Sequence, residues 1–217
     1  MASRHHTTAR SRVAPIAALA AVLSIAGATV VTADVKPGTI APDFSAVDTN
    51  GTTQSLSSLK GKTVVLEWTN HLCPYSVKHY RSGNMQKLQK AAAADGVVWI
   101  SIVSSAPGRQ GYVTAAQANK LTKRRKANPG AVILDPKGTI GRLYSARTTP
   151  HMFVIDAAGK TAYMGAIDSR PSANPADVKG ARNYVSDALA ALKSGKPVKT
   201  TVTRAYGCSV KYGPRSS

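Results

Sequence analysis

Apolar and polar residues alternate along this chain in two rhythms, and each rhythm predicts an element. Thr63-Val64-Val65-Leu66-Glu67-Trp68 is an apolar, β-branched run of strand length. Val97-Val98-Trp99-Ile100-Ser101-Ile102-Val103 is a second such run, and Ala131-Val132-Ile133-Leu134 a third. Phe44 to Val47 and Thr52 to Leu56 flank Asp48-Thr49-Asn50-Gly51, whose Asn-Gly pair is a strong turn signal, and together predict a hairpin. His151 to Asp156, a turn at Ala158-Gly159, and Thr161 to Ile167 predict another. Helical patterns lie between them. One helix is expected from Pro74 toward Ala94, with Ser82-Gly83-Asn84 as a weak middle, and a second near Val113 to Lys126. A third is expected from Val178 to Leu192, where Val178, Ala181, Val185, Ala188, Leu189 and Leu192 share one face. Strand, helix, strand, helix, hairpin and helix predict an α/β layered domain on a mixed sheet.

The first 33 residues follow neither rhythm. Arg4, Arg10 and Arg12 precede an almost wholly apolar run from Val13 to Val31, and small residues at Ala26-Gly27-Ala28 and before Asp34 offer cleavage sites. That is the pattern of a secretory signal peptide, with an uncleaved N-terminal anchor as the alternative. The organisation expected is a leader over 1–33, a folded domain over 37–193 and a tail over 194–217.

Composition then narrows the chemistry. The 217 residues are 43% hydrophobic and 18% charged, which excludes a disordered polyelectrolyte and a multi-span membrane protein. Lys and Arg number 29 against 10 Asp and Glu, a formal net charge of +19. An exported chain does not meet chromosomal DNA, so no nucleic-acid partner is expected, and membrane contact only through an uncleaved leader. Attraction to anionic surfaces or acidic partners is the plainer use of that charge. The densest basic run, Lys120, Lys123, Arg124, Arg125 and Lys126, reads either as a solvated helix end that complements the macrodipole or as a binding patch.

Two cysteines are too few for a disulfide-stapled scaffold or a four-cysteine zinc site. The sharpest local feature is His71-Leu72-Cys73-Pro74-Tyr75-Ser76, which follows a buried strand and opens a helix, with proline at the first helical position. A thiol there meets unpaired backbone N–H groups and the positive helix end, and both favour the thiolate. The plain alternative is an inert buried cysteine. Arg147-Thr148-Thr149-Pro150-His151, at the entrance to an apolar strand, is a second marker and a candidate cis peptide.

Gly38-Thr39-Ile40-Ala41-Pro42-Asp43-Phe44, the strand ending in Glu67-Trp68, Cys73-Pro74, and Thr149-Pro150 before Phe153-Val154-Ile155-Asp156 appear in this order. Together they resemble the redoxin, or alkyl hydroperoxide reductase/thiol-specific antioxidant, branch of the thioredoxin superfamily over residues 37 to 193. The resemblance implies a thioredoxin-like sheet flanked by helices, a nucleophilic Cys73, and Pro150 as the cis-proline facing it. Arg147 would be the cysteine-activating arginine, with His71 a second candidate for stabilising the thiolate. The chain departs from the family's patterns at two points. Ser76 stands where a thioredoxin carries its second cysteine, and Asn70 where typical peroxiredoxins carry Thr or Ser.

Cys208 is therefore the one intramolecular partner for Cys73. It lies in Ala205-Tyr206-Gly207-Cys208-Ser209, on a tail expected to be mobile, and reads either as a resolving cysteine or as half of a permanent disulfide. His71, His79 and His151 all fall in or beside the motifs. They offer acid–base support near Cys73 or, with Cys73, soft ligands for copper. Glu67, the one glutamate, is either a proton acceptor near the thiol or an ion-paired residue. The expected function is an exported thiol oxidoreductase acting on a hydroperoxide or disulfide, regenerated by a thiol donor and using no cofactor. A disulfide-exchange protein without peroxidase activity and a copper-binding thioredoxin-fold protein are the alternatives. The site expected is Cys73, Cys208, Pro150, Thr149, Arg147 and His71.

Overall fold

The computed structural model describes residues 1–3 and 35–214. The chain divides into two units, 1–31 and 32–217, and every element among the described residues belongs to the second. The leader expected over 1–33 lies outside the described residues but for its first three.

A five-stranded mixed sheet organises the domain, in the order β5–β4–β3–β7–β8. Its strands are β3 (Val64–Trp68), β4 (Val98–Val103), β5 (Ala131–Leu134), β7 (His151–Ile155) and β8 (Thr161–Gly165). The three predicted apolar runs form β3, β4 and β5, which pair in parallel, while β7 pairs antiparallel with β3 and with β8. Alternation along each strand sends side chains to opposite faces. Val64, Leu66 and Trp68 of β3 join Phe153 and Ile155 of β7 in a core with Phe44 and Tyr144, whereas Val65 joins Met152 and Val154 in a second core. The first core is aromatic: the Tyr144 ring lies 5.4 Å from both Trp68 and Phe153. This is the thioredoxin-like α/β architecture that the motifs implied. The expected N-terminal hairpin is present as β1 (Ser45–Val47) and β2 (Thr53–Ser55).

The helices differ from the pattern in instructive ways. The stretch from Pro74 to Ala94 is two helices, α1 (Pro74–Arg81) and α2 (Asn84–Ala94). Gly83 between them sits at φ 75°, a left-handed geometry that glycine adopts without steric cost. Helix α3 (Ala115–Arg124) begins with a capping box between Thr114 and Gln117. The last helix, α5 (Tyr184–Lys193), starts six residues later than expected, because the Asn183 side chain caps it and Gly180 turns the chain with φ 80°. A five-residue helix, α4 (Thr139–Leu143), carries no periodic signal of its own.

The tail is not mobile strand-less chain. After α5, Thr203 packs so closely on Gly165 that a side-chain carbon there would fall 2.3 Å from its Oγ1. Cys208–Ser209 then form a short strand, β9, paired antiparallel with β6 (Thr148–Thr149). Beyond it Val210 is buried, the Tyr212 hydroxyl donates to the Ala146 carbonyl at 2.8 Å, and Arg142 donates to the Gly213 carbonyl at 2.7 Å. Residues 201–213 thus form a strap laid over the sheet's end. The expectation of a mobile tail is corrected: backbone pairing and aromatic packing hold it in place. Among the described residues, no helix is long and apolar enough to cross a membrane.

Candidate active site

Cys73 occupies the N-cap of α1 with extended backbone, and Pro74 follows at the first helical position. A proline there gives up no helical hydrogen bond. The thiol is fully buried. It donates to the Thr149 carbonyl at 2.9 Å, a contact that favours the protonated form. The Cys208 amide points at the sulfur from 3.4 Å and favours the thiolate. Burial itself pushes the Cys73 pKa up, but hydrogen bonding from the Cys208 and Thr149 side chains and from the Ser76 and Cys208 amides outweighs it, so the net direction is down. Burial, with the Cys73 sulfur next, pushes the Cys208 thiol up to about 11. Both cysteines are free thiols. The pair is therefore polarised: one sulfur ionises more readily and the other holds its proton.

Register explains the meeting. Thr149 pairs with Cys208 across β6 and β9, and the Thr149–Pro150 peptide is cis. Gly207 sits at φ 133°, and a side-chain carbon there would lie 2.1 Å from the Thr149 carbonyl oxygen. Only glycine lets the strap come this close to the strand that faces Cys73.

A buried ionic cluster anchors the strap one residue further back. Lys78, fully buried on α1, lies 3.2 Å from the Asp168 carboxylate and donates to the Arg170 carbonyl at 2.6 Å. The Tyr206 hydroxyl donates to Asp168 and lies 3.3 Å from Lys78 and 3.2 Å from His79 Nε2. Burying a charge pair costs stability unless partners satisfy it, and here the Arg170 carbonyl and amide and the Tyr206 hydroxyl contribute. Asp168 went unnoticed in the sequence, and Lys78, whose place on α1 with His79 and Arg81 suggests support for the Cys73 thiolate, pairs with Asp168 instead.

The remaining expected residues fall elsewhere. Pro150 is buried beside the pair, but Arg147 is exposed and makes backbone bonds to His151 and Val210. His71 is half-buried, with its carbonyl accepting from Arg125 at 2.9 Å. Neither Arg147 nor His71 hydrogen-bonds the sulfur. The Asn70 side chain bonds Gln110 and the Leu72 amide, not the Cys73 sulfur. Glu67 is neither ion-paired nor at the thiol; it accepts from Tyr80, Gln89, Trp99 and Ser101 in a closed buried cage. The copper set is corrected too. Among the described residues no three His, Cys, Asp or Glu side chains are arranged to hold a metal, and His151 instead stacks 4.6 Å from Phe153.

The Redoxin family profile matches residues 36–184. The chain belongs to the Redoxin family. This redoxin resembles an uncharacterized conserved protein from Geobacillus kaustophilus at 22% identity and TM-score 0.70, covering 85% of this chain and 96% of that one. A protein assigned as the thiol:disulfide interchange protein DsbE from Chlorobium tepidum is 26% identical with TM-score 0.50, over 60% of this chain and 85% of that one. Peroxidoxin BcpB from Mycobacterium tuberculosis is 23% identical with TM-score 0.50, over 74% and 97%. No curated protein matches the sequence. Family and fold together make this redoxin a thiol oxidoreductase in the broad sense.

Proposed function

We propose that the protein cycles between a Cys73/Cys208 dithiol and a Cys73–Cys208 disulfide, and that its oxidant is a disulfide. The Cys208 amide, 3.4 Å from the Cys73 sulfur beside the cis-proline strand, carries this reading. The Cys73 thiolate attacks one sulfur of a substrate disulfide, forming a mixed disulfide and releasing the other sulfur as a thiolate, which takes up a proton. Cys208 then loses its proton and attacks Cys73, expelling the second substrate thiolate. The substrate gains two electrons and the dithiol loses two. Two equivalents of a small thiol return the protein to its reduced form.

Disulfide is favoured over hydroperoxide because neither Asn70 nor Arg147, at the positions the peroxiredoxin pattern would use, hydrogen-bonds the sulfur. Asn70 is committed to Gln110, and Arg147 is elsewhere. Export is proposed on the basic and apolar pattern of residues 4–33 alone.

Intact-mass and peptide analysis of the full chain, secreted and then treated with a small-molecule disulfide, tests the reading. An intramolecular Cys73–Cys208 bond is expected, opened by millimolar thiol. The Cys208→Ser chain should stop at a mixed disulfide on Cys73, and Cys73→Ser should react hardly at all. A Cys73–Cys208 bond that resists millimolar thiol would make the pair purely structural. Faster oxidation by hydroperoxide than by disulfide would transfer the reading to peroxide reduction. The same masses show whether the chain begins at Asp34.

A further inference from the structure

The cationic surplus of this chain is not evenly spread. Ten acids stand against 29 Lys and Arg, and the described Lys and Arg ion pairs engage only Asp168, Asp187 and Asp95. Arg81 ends α1, and Arg124 and Arg125 end α3. All three converge on one cleft of about 360 Å³, walled also by His71, Tyr80 and Gln86, with no carboxylate in its lining.

Arg125 does not extend into solvent as a helix-end residue would. Its guanidinium lies 4.5 Å over the Tyr80 ring and spends one N–H on the His71 carbonyl. Its own carbonyl is fixed by Gln86 at 2.8 Å, so the group is held from both ends. A guanidinium has five donors, and the others make no hydrogen bond to a described residue. Arg81 and Arg124 make none either. Like charges crowd one another here: after burial, Arg125 and Arg124 both push the His71 pKa down. Behind the same His71, Tyr80 and Arg125 side chains lies a recess of about 40 Å³, into whose wall the buried Thr69 hydroxyl projects without a partner. Planar guanidinium forks match carboxylate and phosphate oxygens in paired hydrogen bonds, and clefts of roughly 300 Å³ and upward suit small molecules.

We propose that this cleft binds the oxyanion group, carboxylate or phosphate, of a small molecule. Arg81 and Arg124 clamp the anion from the rim, and Arg125 presents its fork from the floor. The site lies on the His71–Cys73 loop, because Arg125 holds the His71 carbonyl. It stands whether or not the disulfide reading above is right.

Calorimetric titration of the full chain with inorganic phosphate and, separately, with malonate tests the site, each against sodium chloride at equal ionic strength. Saturable binding of at least one is expected. Phosphate alone or malonate alone would assign the source, and either supports the site. In Arg81→Gln and in Arg124→Gln, both exposed and unpaired, affinity should fall about tenfold or more, as losing a charged hydrogen-bond partner does. Arg125→Lys keeps the charge but loses the fork, and should weaken binding as well. Lys196→Gln, in a different cleft, should change nothing. Heats no larger than those of chloride, or an equal loss in Lys196→Gln, would overturn the proposal.

Discussion

The two cysteines reach the same point by opposite means. Cys73 is placed locally: β3 ends, the chain turns through Asn70, and Pro74 starts a helix that leaves the thiol at its cap. Cys208 is placed by distant contacts alone, since β9 has two residues and pairs with a two-residue partner. Such a strand is marginal by itself, because short pairings need packing or anchors to persist. Its anchors are Gly207 against Thr149 on one side and the Tyr206 hydroxyl in the Lys78–Asp168 cluster on the other. The difference teaches that α1 serves both thiols. Its first turn carries Cys73, and its second carries the Lys78 that fixes the strap holding Cys208.

The strongest way to break this comparison is Lys78→Met. It leaves the buried Asp168 carboxylate without its cation, which costs about 3–5 kcal/mol when a buried pair loses one partner. Urea unfolding should show that loss. Adding Asp168→Leu should recover a large part of it, whereas a loss unchanged in the double variant would mean that Lys78 matters for packing alone.

Acid should break both sites by smaller amounts. Burial first, with Lys78 adding and Asp168 opposing, lowers the His79 pKa to about 4; burial and then Arg147 lower that of His151 to about 4. Unfolded, both titrate near the usual 6.5. Between those values the unfolded chain binds more protons than the folded one. Stability is therefore level above about pH 6.5 and declines as pH falls toward 4, by on the order of 3 kcal/mol per histidine. His79→Gln should flatten its share of the decline at the strap, and His151→Asn its share at the end of β7. Denaturant midpoints that stay constant from pH 7 to 4.5 in the unaltered chain would refute the assignment.

What could be read in advance follows the same division. β3, β4, β5 and the β7–β8 hairpin were legible because each is a self-contained apolar run, and Cys73-Pro74 was legible because its cue is adjacent in sequence. The strap was not. Val202, Tyr206 and Val210 look like isolated apolar residues in a basic tail, and their meaning depends on partners such as Met164, Lys78 and Arg147 far away in the chain. The same holds for Arg125, which reads as one more cation in a helix end yet turns inward onto Tyr80. Arg147 and His71 were misplaced for the converse reason, since nearness in sequence to Thr149 and to Cys73 does not bring a side chain to the sulfur. Helix α4 went unseen because five residues are too few to show a period.

The smallest expected effect is the most discriminating. Tyr206→Phe removes one hydroxyl from the cluster and leaves the Lys78–Asp168 pair intact, so stability should fall by about 1.5–3 kcal/mol, the worth of a hydrogen bond to a charged group. If the hydroxyl merely stabilises the fold, the thiol–disulfide equilibrium of Cys73 and Cys208 against a glutathione buffer should not move. If it holds Cys208 opposite Thr149, looser placement lowers the effective concentration of one thiol at the other. The equilibrium should then shift toward the dithiol by about three- to fivefold, while alkylation of Cys73 in the native chain speeds up as β9 lifts more often. An unchanged equilibrium alongside a lowered melting temperature would shift the placing of Cys208 beside Cys73 to Gly207, the β6–β9 pairing and the Val210–Gly213 anchors that follow it.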